Sequence, residues 1–178
     1  MPASDFTITA APLTRAELHE AAAVSARAFH TDPFFEFLAP KAVPRARGLA
    51  LYSLALCANL GPRARLLTAR VDGRVVGVGA WLPPGAYPYR LRDQVAQGLG
   101  TLRALYRVPA SITKGARYLL AIEKAHPKDE LWYLQLLVCD PEHQRKGIGA
   151  ALQAEVLETC DREGLPAYLE TQKESNLA

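Results

Sequence analysis

This chain has no long apolar run and no large charge of either sign. No window approaches 18 uninterrupted apolar residues, and no apolar stretch near Met1 resembles a secretory leader. Neither a membrane-spanning helix nor export is therefore expected, and a cytoplasmic location follows. The net charge is only +3, so nothing global argues for a nucleic-acid or membrane partner. Cysteine is scarce: Cys57, Cys139 and Cys160 are odd in number and show no C-x-x-C or metal-ligand spacing. Reduced thiols and no zinc are expected. Repeats, linkers and low-complexity tracts are missing too. So are the two commonest phosphate-loop signatures, G-x-G-x-x-G and G-x-x-x-x-G-K-[ST].

What is present is an ordinary globular composition. The chain has 178 residues, 49% hydrophobic and 22% charged, enough for one domain with a full core. Charge is uneven locally. Between Arg90 and Lys128, eight Lys/Arg face only Asp93 and Glu123, a local +6. Two readings stand for that stretch: the solvated faces of helices, or a surface that attracts phosphates. A nucleic-acid binder would also need a recognition motif or interleaved exposed aromatics, and neither is found.

Periodicity gives the elements in order. Phe6–Thr9 alternates as a short first strand. Thr14 and Glu17 form a capping-box pattern that introduces a helix over 15–29. Asp32 as N-cap and Pro33 at the first helical position start a short helix that ends before Pro40. A helix over 45–60 follows. The segments 65–71 and 74–82 read as strands joined by Asp72-Gly73, a strong hairpin signal. Gly77 and Gly79 in the second of them suggest a bulge or a close approach. Helices are expected over 90–107 and 110–125. The run 131–138, with little polar alternation, reads as a strand buried on both faces. A helix to about Arg162 presents Ile148, Leu152, Val156 and Cys160 on one stripe, Gly164 stops it, and 167–171 is a last strand parallel to its predecessor. The fold class is α/β with a mixed sheet.

The stretch with chemistry in it is Val138-Cys139-Asp140-Pro141-Glu142-His143-Gln144-Arg145-Lys146-Gly147-Ile148-Gly149-Ala150. A strand, a glycine-bearing loop and a helix start make a phosphate site. The first N–H groups of a helix have no intrahelical partners, and the dipole favours an anion. Gly147 and Gly149 leave room for close approach, and Arg145 and Lys146 add positive charge. Cys139 beside this loop reads as a nucleophile or, better, as a small half-buried hydrophobe.

Gln144-x-x-Gly147-x-Gly149 after a strand resembles the acetyl-CoA loop of the GNAT superfamily. Trp132-Tyr133-Leu134 through Gln144, with Tyr168-Leu169-Glu170-Thr171, is similar to the puromycin N-acetyltransferase-like branch. Ala28-Phe29 and Asp32-Pro33 are similar to it more weakly. The resemblance implies a mostly antiparallel sheet whose fourth and fifth strands run parallel and splay apart, and an acetyl-CoA-dependent N-acetyltransferase acting on a small-molecule amine. It further implies that the backbone of Leu137, Val138 and Cys139 pairs with the pantetheine arm. Gln144, Arg145, Lys146, Gly147, Ile148, Gly149 and Ala150 would hold the pyrophosphate, and Asn176 matches a cofactor-contacting asparagine.

The implied chemistry is direct attack of an amine on the thioester, with a strand N–H of Val138 or Leu137 stabilising the oxyanion. Tyr133 stands where some relatives carry a basic glutamate, so it reads as catalytic or as core. Glu170, at the open end of the fifth strand, is the substitute base or else a surface carboxylate. In the family a thiolate-protonating tyrosine follows the asparagine, then a final hairpin. Here the sequence stops at Ala178, so the last helix and two strands are expected to lie outside this single domain, in a longer product. An uncovered edge beside the fifth strand favours a homodimer. A non-catalytic CoA-binding module of the same fold is the other reading. Phe34, Phe35, Phe37, Trp81 and Tyr87 are candidates for an apolar acceptor pocket or for core.

Overall fold

The computed structural model describes residues 5–58, 60, 63–87, 99, 110–173 and 176. Elements follow in the order β1 (Thr7–Ala10), α1 (Arg15–Ala28), α2 (Pro33–Leu38), α3 (Ala42–Ala58), β2 (Arg65–Val71), β3 (Arg74–Leu82), α4 (Ala110–Ala125), β4 (Trp132–Cys139), a 3₁₀ turn (Pro141–His143), α5 (Ile148–Glu163) and β5 (Ala167–Tyr168). The expected helix over 90–107 lies, but for Leu99, outside the described residues, and so does much of the basic run between Arg90 and Lys128. α3 begins three residues earlier than its periodicity suggested. Pro44 is tolerated in its first turn, where the missing N–H would have had no partner.

Local chemistry sets the boundaries. The Thr14 hydroxyl accepts from the Glu17 N–H at 3.3 Å while the Glu17 carboxylate accepts from the Thr14 N–H at 2.7 Å, a reciprocal cap for α1. Asp32 caps α2 by accepting from the Phe34 N–H. Asp72 and Gly73 both take positive φ, 49° and 77°, the backbone a two-residue hairpin needs to match the strand twist.

The five strands lie in chain order, β1-β2-β3-β4-β5, antiparallel except for the parallel β4–β5 pair. One face is covered by α1 and α3, with Ala21, Val24, Leu56 and Cys57 packed on Val75, Val78, Ala80, Leu136 and Val138. The other is covered by α5, whose Ile148, Leu152, Val156 and Cys160 are 0–4% exposed. Burying each of the three larger side chains is worth about 1.5–3 kcal/mol. Gly77 and Gly79 permit this contact. A Cβ on Gly77 would stand 2.9 Å from Ile148 Cγ2, and one on Gly79 would stand 3.3 Å from the Leu152 carbonyl oxygen.

Two register shifts shape the sheet. Ala69 pairs with Gly77 but Arg70 with Val75, which leaves Val76 opposite nothing on β2. Ala80 pairs with Leu136 but Trp81 with Leu134, so Gln135 is the extra residue in β4. Because of that second bulge Leu134 and Leu136 pack on opposite faces of the sheet, which strict alternation would forbid. β4 is mainly buried, as expected, with Gln135, Leu137 and Cys139 only half-buried.

β5 is shorter than the sequence suggested. Only Ala167 and Tyr168 pair, with Trp132 and Tyr133. From Leu134 onward β4 has β3 on one side and no strand on the other among the described residues.

Candidate active site

The end of β4 is locked before the loop begins. The Asp140 N–H donates to the carbonyl of Val76, the bulged residue of β3, at 2.8 Å. The Asp140 carboxylate accepts from the Glu142 N–H and is paired with the Arg27 guanidinium from α1. Burial opposes the charge on Asp140, but those donors win and hold its carboxyl below the usual range. The Gln144 amide donates to the Cys139 carbonyl at 3.2 Å, folding the loop back onto the strand. Gln144 thus fixes the loop by its side chain.

Beyond Gln144 the backbone turns sharply. Arg145 and Gly147 have φ of 61° and 81°, and Gly147 is the N-cap of α5 with no side-chain cap. The first intrahelical bond runs from the Ala151 N–H to the Gly147 carbonyl at 3.0 Å, which leaves the N–H groups of Gly147, Ile148, Gly149 and Ala150 without intrahelical partners. A Cβ on Gly147 or Gly149 would meet no atom within 4 Å. Arg145, Lys146 and Ala150 are exposed, whereas the Ile148 side chain is 2% exposed in the core, so only its backbone is free to meet a ligand. The loop is an open, positively charged rim over a helix N-terminus. Its fit to an anionic pyrophosphate rests on that open space.

Leu137, Val138 and Cys139 precede this rim on the stretch of β4 that β5 leaves unpaired. All three cysteines are free. Burial, with the nearby Asp140 charge, pushes the Cys139 thiol up, opposite to what a nucleophile needs. Asn176 lies apart: its side-chain amide donates to Thr171 Oγ1 at 2.9 Å and its N–H to the Lys173 carbonyl.

At the other end of β4, Tyr133 and Glu170 meet. The Tyr133 hydroxyl donates to Glu170 Oε2 at 2.8 Å. Burial, then the bond to Glu170 and its negative charge, push the Tyr133 phenol far above its ordinary value, so Tyr133 stays protonated and serves as the donor that holds Glu170. Tyr133 lines a cavity of about 300 Å³ whose wall also includes Tyr87, Glu123, His126, Lys128 and Asp129; Glu170 stands behind it, bonded to Tyr133.

The five aromatics considered for an acceptor pocket are not brought together. Trp81 is 1% exposed and its indole N–H points at the Leu152 carbonyl. Phe34 and Phe35 join Phe29, Tyr52 and Tyr118 in a separate ring cluster. Phe37 is exposed beside the Lys114 ammonium. Tyr87 alone of the five lines the cavity. Sequence reasoning passed over His126, because only the fold brings it to Glu170 from 44 positions away.

The model of the Acetyltransferase (GNAT) family matches residues 29–178. Among solved structures, the chain is similar to a histone acetyltransferase HPA2 and related acetyltransferase from Corynebacterium glutamicum. The two share 21% identity and a TM-score of 0.60, over 97% of this chain and 80% of the other. A protein from Pyrococcus horikoshii aligns with a TM-score of 0.53 at 15% identity, over 97% of this chain and 83% of the other. At such identities these likenesses speak for the fold.

Proposed function

The chain belongs to the acetyltransferase (GNAT) family, and we propose that it transfers an acetyl group from acetyl-CoA to a primary amine of a small molecule. The observation that carries this reading is the open cradle at the start of α5. Four N–H groups lack intrahelical partners there, Arg145 and Lys146 flank them, and the space above Gly147 and Gly149 is empty. Acetyl-CoA supplies the acetyl group activated as a thioester. Gln144 to Ala150 would hold its pyrophosphate, mainly through backbone N–H groups, and the unpaired edge of Leu137, Val138 and Cys139 would take its extended arm as an added strand. Glu170, held by Tyr133, would supply the negative charge that stabilises the acceptor's departing proton. Much of the rate would come from holding two reactants in register. Asn176 is proposed as a further cofactor contact after release from Thr171.

Thermal unfolding with and without acetyl-CoA tests the reading. Ligand at about 100 times its dissociation constant stabilises by roughly 2.7 kcal/mol, on the order of 5–10 °C for a domain of this size. Lys146→Glu weakens the shift if the cofactor sits on the loop. A cooperative transition that acetyl-CoA does not move overturns the proposal. Thiol release in an amine screen then separates an enzyme from a module that only binds.

A further inference from the structure

His126 has no role in the reading above, yet its surroundings are built. It lies one residue past α4, with its N–H bonded to the Ile122 carbonyl at 2.8 Å. Three tyrosines enclose its ring: Tyr87, Tyr133 and Tyr168 at centroid distances of 4.3, 4.8 and 5.0 Å. Its Nδ1 is buried with no hydrogen-bond partner, and so is Oε1 of Glu170. These two orphan atoms face each other at 3.5 Å, on side chains only 9% and 19% exposed. Two buried polar atoms without partners are costly unless they serve each other. A proton on Nδ1 turns the contact into a hydrogen bond to a carboxylate and leaves the lone pair on Nε2. The residue forms part of the cavity wall.

We propose that this cavity takes the acceptor amine as an alkylammonium, and that His126 Nε2 removes its proton while Glu170 acts as the positioning carboxylate. The proposal rests on the acetyltransferase reading and names the acceptor chemistry of that site. Tyr87 and Tyr133 offer aromatic surface to a cation. Among the described residues, Glu123 and Asp129 in the wall, with Glu170 behind His126 and Tyr133, outnumber Lys128. Among the described residues these, with Tyr168, are the titratable and charged groups around His126.

The balance is simple. An N–H bond of the ammonium gives its proton to Nε2 and its electron pair stays on nitrogen. That pair forms the new C–N bond as the C–S bond of the thioester breaks. A second amine proton goes to the departing sulfur, and the first leaves Nε2 for solvent. The imidazolium formed meanwhile faces the Glu170 carboxylate, as a general base needs.

The test follows the imidazole C–H signals of the four histidines by NMR, with His126 assigned from H126Q. The probes are 2-phenylethylamine hydrochloride and 2-phenylethanol, each at millimolar concentration. The ammonium is expected to move the His126 signals, and the alcohol to leave them in place. With whichever of 2-phenylethylamine, tyramine and putrescine turns over, H126Q loses about 10²–10⁴-fold in kcat/KM and the acid limb of its pH profile. E170Q keeps that limb and loses less in kcat/KM than H126Q. Both variants keep the wild-type shift with acetyl-CoA. His126 signals that ignore the ammonium, or that answer the alcohol equally, overturn the proposal, as does an unchanged profile in H126Q. A wild type that acetyl-CoA does not stabilise overturns the transferase reading instead, and the NMR arm still decides whether the cavity takes ammonium.

Discussion

Tyr133 on β4 donates its hydroxyl proton to Glu170, 37 residues later in the chain, at 2.8 Å. The bond ties the strand that carries the unpaired edge to the segment that leaves it. Tyr133→Phe removes the donor and leaves Glu170 Oε2 short of a partner. A loss of about 1–2 kcal/mol in urea unfolding is expected. A double-mutant cycle with Glu170→Gln should show coupling well above 0.3 kcal/mol; additive losses would mean that the bond carries no energy.

At Gly149 stability and binding should part. A side chain there meets nothing within 4 Å, and an acidic residue in the first helical turn suits the dipole. Gly149→Asp therefore folds with an unfolding midpoint equal to or slightly above wild type. Its charge, however, stands where a pyrophosphate would approach, so acetyl-CoA affinity by calorimetry falls tenfold or more, about 1.4 kcal/mol. Unchanged affinity would move the cofactor off this loop.

Gly77→Ala tests the opposite case. Its Cβ would stand 2.9 Å from Ile148 Cγ2 and 3.2 Å from Leu152 Cδ1, both on the buried stripe of α5. Overpacking costs about 1–3 kcal/mol. Because Ile148 is the first residue of α5, acetyl-CoA affinity should fall along with stability, although the mutated position is in β3.

The Asp140–Arg27 pair sets a pH dependence. The Asp140 carboxyl is held below its ordinary value in the folded state, so the stabilisation is present above the unfolded aspartate value of about 3.9. It disappears as pH falls from there through the folded value. Asp140→Asn keeps an acceptor for the Glu142 N–H but not the charge. Wild type should exceed it in urea midpoint at pH 7, with the gap narrowing as pH falls below about 3.9. Arg27 is half exposed, which screens the pair, so the gap is modest. A gap that widens on acidification would contradict the assignment.

Much of this architecture could be read from the chain. Thr14 with Glu17, Asp32-Pro33 and Asp72-Gly73 act through neighbours within four residues, so type and order alone placed α1, α2 and the β2–β3 hairpin. The spacing of Ile148, Leu152, Val156 and Cys160 marked the face of α5, because a 3.6-residue period is a local property. The loop from Gln144 to Ala150 was legible for the same reason: a strand end, two glycines and a helix start sit within a dozen residues.

What only the tertiary structure decided depends on register and on pairs far apart in sequence. The bulge at Gln135 comes from how β4 meets β3 around Trp81, and no local residue announces it. The early end of β5 is set by its pairing with β4, which stops at Tyr133 and Tyr168, so Leu169, Glu170 and Thr171 looked like strand yet lie outside the pairing. Tyr133, His126 and Glu170 come from β4, the end of α4 and the segment after β5. Sequence fixes each residue's own conformational preference, but only packing determines which distant side chains share a pocket, and it is that sharing that turns a tyrosine, a histidine and a glutamate into a candidate site.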